Sequence, residues 1–108
     1  LAAAALYALR NHVPLLQHDH RRARELAARA ARVEGVVVVT PETNIVMIDL
    51  AEPRLEPGAL LAALERRGVR MVQFGARRLR AVTHLDVDDA GIARAADALA
   101  ESVRELLD

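Results

Sequence analysis

The sequence predicts an α+β two-layer domain, with a mostly antiparallel sheet and helices on one face. Three observations predict it. The chain has 108 residues and is 53% hydrophobic, which suits one domain with a modest core. Apolar residues recur at helical spacing near the start, in the middle and at the end. Between those segments lie short β-branched or alternating runs, and two pairs of them are separated only by turns, as hairpins require.

Leu1 to Leu9 reads as the tail of a helix, interrupted by Asn11 and Pro14. A second helix is expected from about Val13 to Val33, with Val13, Leu16, Ala23, Ala27 and Ala30 on its apolar face. Its polar face carries Arg21, Arg22, Glu25, Arg29 and Arg32, and Glu25 precedes Arg29 by four residues, the favourable order for an ion pair. Gly35 ends the helix. Val36 to Val39 is β-branched and reads as a strand; Thr40 to Thr43 is a turn; Ile45 to Leu50 is a second strand.

After a loop around Pro53, Pro57 opens a short helix through Leu60, Leu61 and Leu64, and Gly68 closes it. Val69 to Phe74 is expected as the third strand, Gly75 to Arg78 as a turn, and Leu79 to His84 as the fourth strand. Asp88 is positioned to cap a last helix whose apolar face is Ile92, Ala96, Leu99, Val103 and Leu106.

Composition excludes several classes of chemistry. There is no cysteine, hence no disulfide and no thiolate chemistry, a usage compatible with a reducing cytoplasm. Fifteen basic residues balance fifteen acidic ones, so no net field draws nucleic acid, and aromatic stacking platforms are missing. No apolar run approaches the roughly 20 residues that cross a bilayer. Leu1 to Leu9 lacks the basic leader of a signal peptide. All the basic residues are arginine; the sequence contains no lysine. With no initiator methionine, the chain is expected to be a fragment or a processed product.

Arg80 is the first candidate for chemistry. Alternation along the fourth strand puts Arg80, Val82 and His84 on one face and Leu79, Ala81 and Thr83 on the other. A guanidinium there offers a planar fork that matches a carboxylate, although a lone arginine on an edge strand is ordinarily just solvated. His18, Asp19 and His20 do not converge as a metal site, because helix residues two apart face different ways; His20 falls on the apolar stripe as a partly buried residue. His84, beside Asp86, could orient a ligand or bond a neighbouring loop. Thr43 and Asn44 are explained as turn residues. No serine sits in a nucleophile turn, Ser102 is internal to the last helix, and no Gly-rich phosphate loop is present.

Beyond single residues, the run Leu79-Arg80-Ala81-Val82-Thr83-His84-Leu85-Asp86-Val87 resembles a C-terminal motif of low-specificity L-threonine aldolases, in which Arg, an apolar residue and Val-Thr-His-x-Asp-Val recur. Thr43-Asn44-Ile45-Val46 resembles a strand start of that family, Asp19-His20-Arg21-Arg22-Ala23-Arg24 its Asp-His-x-x-Ala-Arg stretch, and the Ala-rich opening the helix that leaves its large domain. The resemblance implies the small C-terminal domain of a fold type I (aspartate-aminotransferase-like) enzyme, with residues 1–12 ending the helix from a large domain. It implies pyridoxal phosphate bound by that large domain, retro-aldol cleavage of threonine or allo-threonine to glycine and acetaldehyde, a small amino-acid substrate and a homotetramer. It passes the substrate-carboxylate role to Arg80 and assigns no catalytic, cofactor-binding or metal-binding residue here. It assigns no role to His84, Asp86 or Asn44. The alternatives are another fold type I lyase, an aldolase for bulkier β-hydroxy amino acids, or a ferredoxin-like amino-acid-binding module.

Overall fold

A computed structural model describes residues 20–39, 41, 44–82 and 88–108. The expected helix at Leu1 to Leu9, the expected first turn around Pro14, and His12, His18, Asp19, Thr43, His84 and Asp86 lie outside the described residues. What is described is a four-stranded sheet with helices on one face. In chain order it comprises α1 (residues 20–30), β1 (Val36–Val39), β2 (Ile45–Leu50), α2 (Pro57–Arg66), β3 (Val72–Gln73), β4 (Arg78–Val82) and α3 (Asp89–Leu107). The strand order is β1-β2-β4-β3 and every neighbouring pair is antiparallel.

Two strands fall where the sequence places them. Val36 to Val39 is a run of stiff β-branched side chains, and β2 alternates half-buried and buried residues as a one-sided strand must. The two hairpins form, but between them the sheet is joined by β2 and β4. Met47 is registered opposite Arg80 and Asp49 opposite Arg78. β2, α2, β3 and β4 therefore make a split β-α-β unit, with β4 inserted between strands that run the same way. β4 is consequently an interior strand, which corrects the reading of Arg80 as an edge-strand arginine.

α1 ends sooner than expected. Beyond residue 30 the backbone tightens into three-residue bonds, Arg32 N to Arg29 O and Val33 N to Ala30 O, before Gly35 turns the chain at φ 96°. Its buried stripe is Ala23, Leu26, Ala27 and Ala30. The Glu25–Arg29 pair forms at 3.2 Å.

β3 is also shorter than expected. Pro57 occupies the first turn of α2, and the helix closes in a Schellman motif: Gly68 N–H donates to Glu65 O at 3.0 Å and Val69 N–H to Leu64 O at 2.9 Å. Val69 thus completes the helix end, and Met71 turns into the core, so ladder pairing begins only at Val72. At the other end of the chain Asp88 accepts from Gly91 N–H at 2.7 Å, the N-cap expected of it.

The core lies between one sheet face and the helices. Val46, Ile48, Leu50, Leu79 and Ala81 meet Leu60, Leu64, Ile92, Leu99 and Val103. Ser102 is fully buried but accepts from Arg67 Nη1 at 3.3 Å, and Arg67 also reaches Ala63 O and Glu105, fastening the end of α2 to α3. Among the described residues no helix is long and apolar enough to cross a membrane.

Candidate functional site

The second face of the sheet is covered by no element among the described residues. Val37, Val39, Val72 and Phe74 are each about half exposed there, and Arg78 and Arg80 project from the same side of β4. Leu79 and Ala81, the alternate residues, are buried in the core. The period of the strand therefore divides its work: odd positions hold the fold and even positions face outward.

Three arginines at the start of β4 have different fates. Arg77 is tied to backbone: Nε donates to Leu50 O at 3.0 Å, and Nη2 to Glu52 O at 2.8 Å and Leu55 O at 3.0 Å, pinning the loop after β2. Arg78 makes a bidentate pair with Asp49 across β2–β4, through Nε to Oδ1 and through Nη2 to Oδ2 at 3.0 Å. Hydrogen bonding from that guanidinium, which outweighs partial desolvation, holds the Asp49 carboxyl below its ordinary range and raises Arg78 further. Arg80 has no such partner. Its Nε is buried without a hydrogen-bond acceptor among the described residues, and its guanidinium carbon sits 5.2 Å from the centroid of the Phe74 ring.

Chemically, then, the face holds one arginine matched by a carboxylate and one with no acidic partner among the described residues. A buried donor without an acceptor is costly, about 1–3 kcal/mol, and rare in folded proteins. An anion with two acceptor oxygens, such as a carboxylate, satisfies both the charge and the fork. A separate concavity lies elsewhere. It is a groove of about 420 Å³ in the helix layer between the end of α1 and α3, lined by side chains of both signs, including Arg32, Arg104, Asp97 and Asp108, and by no residue of β4. Its mixed charge and lack of an orphaned group make it the weaker candidate.

Of the sequence-predicted residues, Arg80 is placed on the open face and Asn44 is half-buried at the entry to β2. His20 is half-buried at the start of α1, as its place on the apolar stripe implies. Ser102 is buried and hydrogen-bonded, far from a nucleophile's setting. Among the described residues no group of three or more His, Asp or Glu could hold a metal ion. Sequence reasoning did not find the roles of Phe74 and Asp49. The signal for Phe74 was available: it is the lone phenylalanine, two residues from Val72 on an alternating strand. Asp49 becomes Arg78's partner only once β2 and β4 are known to be neighbours.

Comparison with known proteins gives the setting for this geometry. Residues 1–53 match the family model described as β-eliminating lyase. The chain is 35% identical over 95 residues to low-specificity L-threonine aldolase 1 of Arabidopsis thaliana, covering 85% of the chain and 26% of that protein. It is 37% identical over 95 residues to the probable low-specificity L-threonine aldolase 2 of the same plant, covering 85% and 27%. It is 38% identical over 97 residues to the low specificity L-threonine aldolase of Escherichia coli K12, covering 89% and 27%. The chain thus spans about a quarter of the length of these relatives.

Proposed function

We propose that this chain, which is similar to low-specificity L-threonine aldolases and matches the β-eliminating lyase family model over residues 1–53, is the C-terminal small domain of a threonine aldolase whose substrate carboxylate is held by Arg80. The fold is read as that of the fold type I small domain, and the reaction as cleavage of threonine or allo-threonine to glycine and acetaldehyde. The single observation that carries the reading is Arg80 on the uncovered sheet face, its Nε without an acceptor among the described residues, beside an arginine whose own charge is already matched.

The work assigned to this domain is positional. A bidentate guanidinium–carboxylate pair fixes one end of the amino acid, so the Cα–Cβ bond that breaks is held in one direction. Charge-assisted bonds of this kind are worth roughly 1.5–3 kcal/mol. The family implies pyridoxal phosphate, which supplies an electron sink when bound. The residues here do not fit that group, because a covalent imine needs an amine side chain and the sequence has no lysine. Cofactor binding is therefore assigned to the rest of the enzyme, and this chain alone is expected to be inactive. A cytoplasmic homotetramer is the assembly that the family reading carries with it.

Arg80→Ala in the complete enzyme tests the proposal. KM for threonine is expected to rise about ten- to a hundredfold, from the range just given. Unchanged kinetics remove the anchor. Assay with threonine, allo-threonine and phenylserine sorts the aldolase readings, and release of ammonia with a keto acid points to elimination instead. The split β-α-β unit is shared with ferredoxin-like domains. Calorimetry on the 108-residue chain therefore completes the test: tight binding of a free amino acid without cofactor supports a binding module and opposes the lyase assignment.

A further inference from the structure

We infer that Phe74 is a positioning residue for Arg80, its ring backing the guanidinium so that the fork's donors stay free for a carboxylate; this rests on the carboxylate role proposed for Arg80. The chain has two aromatic residues, Tyr7 and Phe74, in a sequence whose core is aliphatic. Its one phenylalanine is not in the core at all but 51% exposed on the open face. An apolar ring left there loses burial, so hydrophobic packing does not explain it.

The backbone holds the ring in place. Phe74 N–H donates to Arg78 O at 2.8 Å, continuing the ladder past the Val72–Arg80 and Gln73–Leu79 pairs. Phe74 therefore shares a face with Arg78 and Arg80. Gln73 Nε2 donates to Gly75 O at 2.9 Å, and Gly75, at φ 133°, turns the chain back into β4. From this anchored position the ring reaches diagonally to Arg80 and lies 5.2 Å from its guanidinium carbon.

The choice of partner explains the geometry. A carboxylate beside a guanidinium accepts from its donors and competes with any incoming anion, as Asp49 does at Arg78. An aromatic face attracts the cation but offers no in-plane acceptor. It restricts the guanidinium plane without engaging its donors, and the Nε has no acceptor among the described residues. One strand thus carries two arginines side by side, one closed by an acid and one left open on a ring.

The test uses the complete enzyme loaded with its cofactor, and two readouts: KM and kcat for threonine, and the dissociation constant of glycine by calorimetry. Phe74→Leu is expected to raise KM and the glycine dissociation constant about three- to tenfold, the range of a partly desolvated cation–π contact, with kcat within about twofold. Phe74→Tyr and Phe74→Trp should restore both constants. Ethanolamine, which lacks the carboxylate, should show no difference between wild type and Phe74→Leu. Unchanged glycine binding in Phe74→Leu overturns the inference, as does a loss that neither aromatic variant rescues, which marks a structural role. Arg80→Ala measured alongside separates the two levels: if it leaves glycine binding intact the carboxylate role itself falls, whereas weakened binding there with none in Phe74→Leu removes only the part given to the ring.

Discussion

Replacing Arg80 by methionine should make the chain more stable, not less. The substitution keeps an unbranched stem between Met47 and Val72, its cross-strand neighbours, and deletes the guanidinium. It removes a buried Nε that has no acceptor, relieving about 1–3 kcal/mol of desolvation cost. It also loses the contact with Phe74, worth about 0.5–1 kcal/mol on a half-exposed face. The difference favours the variant by roughly 0–2.5 kcal/mol, about 1 kcal/mol near the middle of that range. Urea unfolding of the 108-residue chain measures this directly. With an m-value of about 1–1.5 kcal/mol/M, the midpoint should move up by about 0.5–1 M with the slope unchanged. Arg77→Met is the internal control. Its guanidinium donates to three backbone carbonyls, so its loss removes three bonds that tie the loop after β2 to β4 and should cost about 2–3 kcal/mol. The reasoning is refuted if Arg80→Met is destabilised to the same degree as Arg77→Met, because Arg80 would then be holding the fold.

Two further outcomes follow from the same sheet. Leu79, fully buried and adjacent to Arg80 on the strand, should cost about 2–5 kcal/mol as Leu79→Ala by chemical unfolding. Asp49 carries a depressed carboxyl owing to its bonds from Arg78, so in acid the unfolded chain binds the proton more readily than the native one. The pair's stabilisation is therefore complete above the ordinary aspartate value of 3.8 and is lost as pH falls through the lower native value. Asp49→Asn should flatten that acid limb of a stability–pH curve. Because the carboxylate is 35% exposed, screening limits its loss at neutral pH to about 0.5–1 kcal/mol.

The parts of this fold that sequence could reveal are those with local causes. The β-branched run of β1, the one-sided alternation of β2, Pro57 at the opening of α2 and the Asp88 cap are each dictated within a few residues. The discrepancies have non-local or competing causes. β3 starts late because Val69 completes a helix cap, and α1 stops early because its last bonds tighten before Gly35. The joining of β2 to β4 depends on a crossover that no short window contains. The site divides in the same way. Alternation along β4 places Arg80 opposite the core, but its lack of an acceptor depends on Asp49 choosing Arg78, a contact between residues 29 apart in sequence.

The central claim is that the Arg80 guanidinium is the seat of the substrate's carboxylate, and a structure of the complete, cofactor-loaded enzyme with bound glycine measures it most directly. The account predicts both carboxylate oxygens within about 2.7–2.9 Å of Arg80 nitrogens, on the sheet face opposite Leu79. A glycine carboxylate held by other groups, with Arg80 out of hydrogen-bond reach, contradicts it.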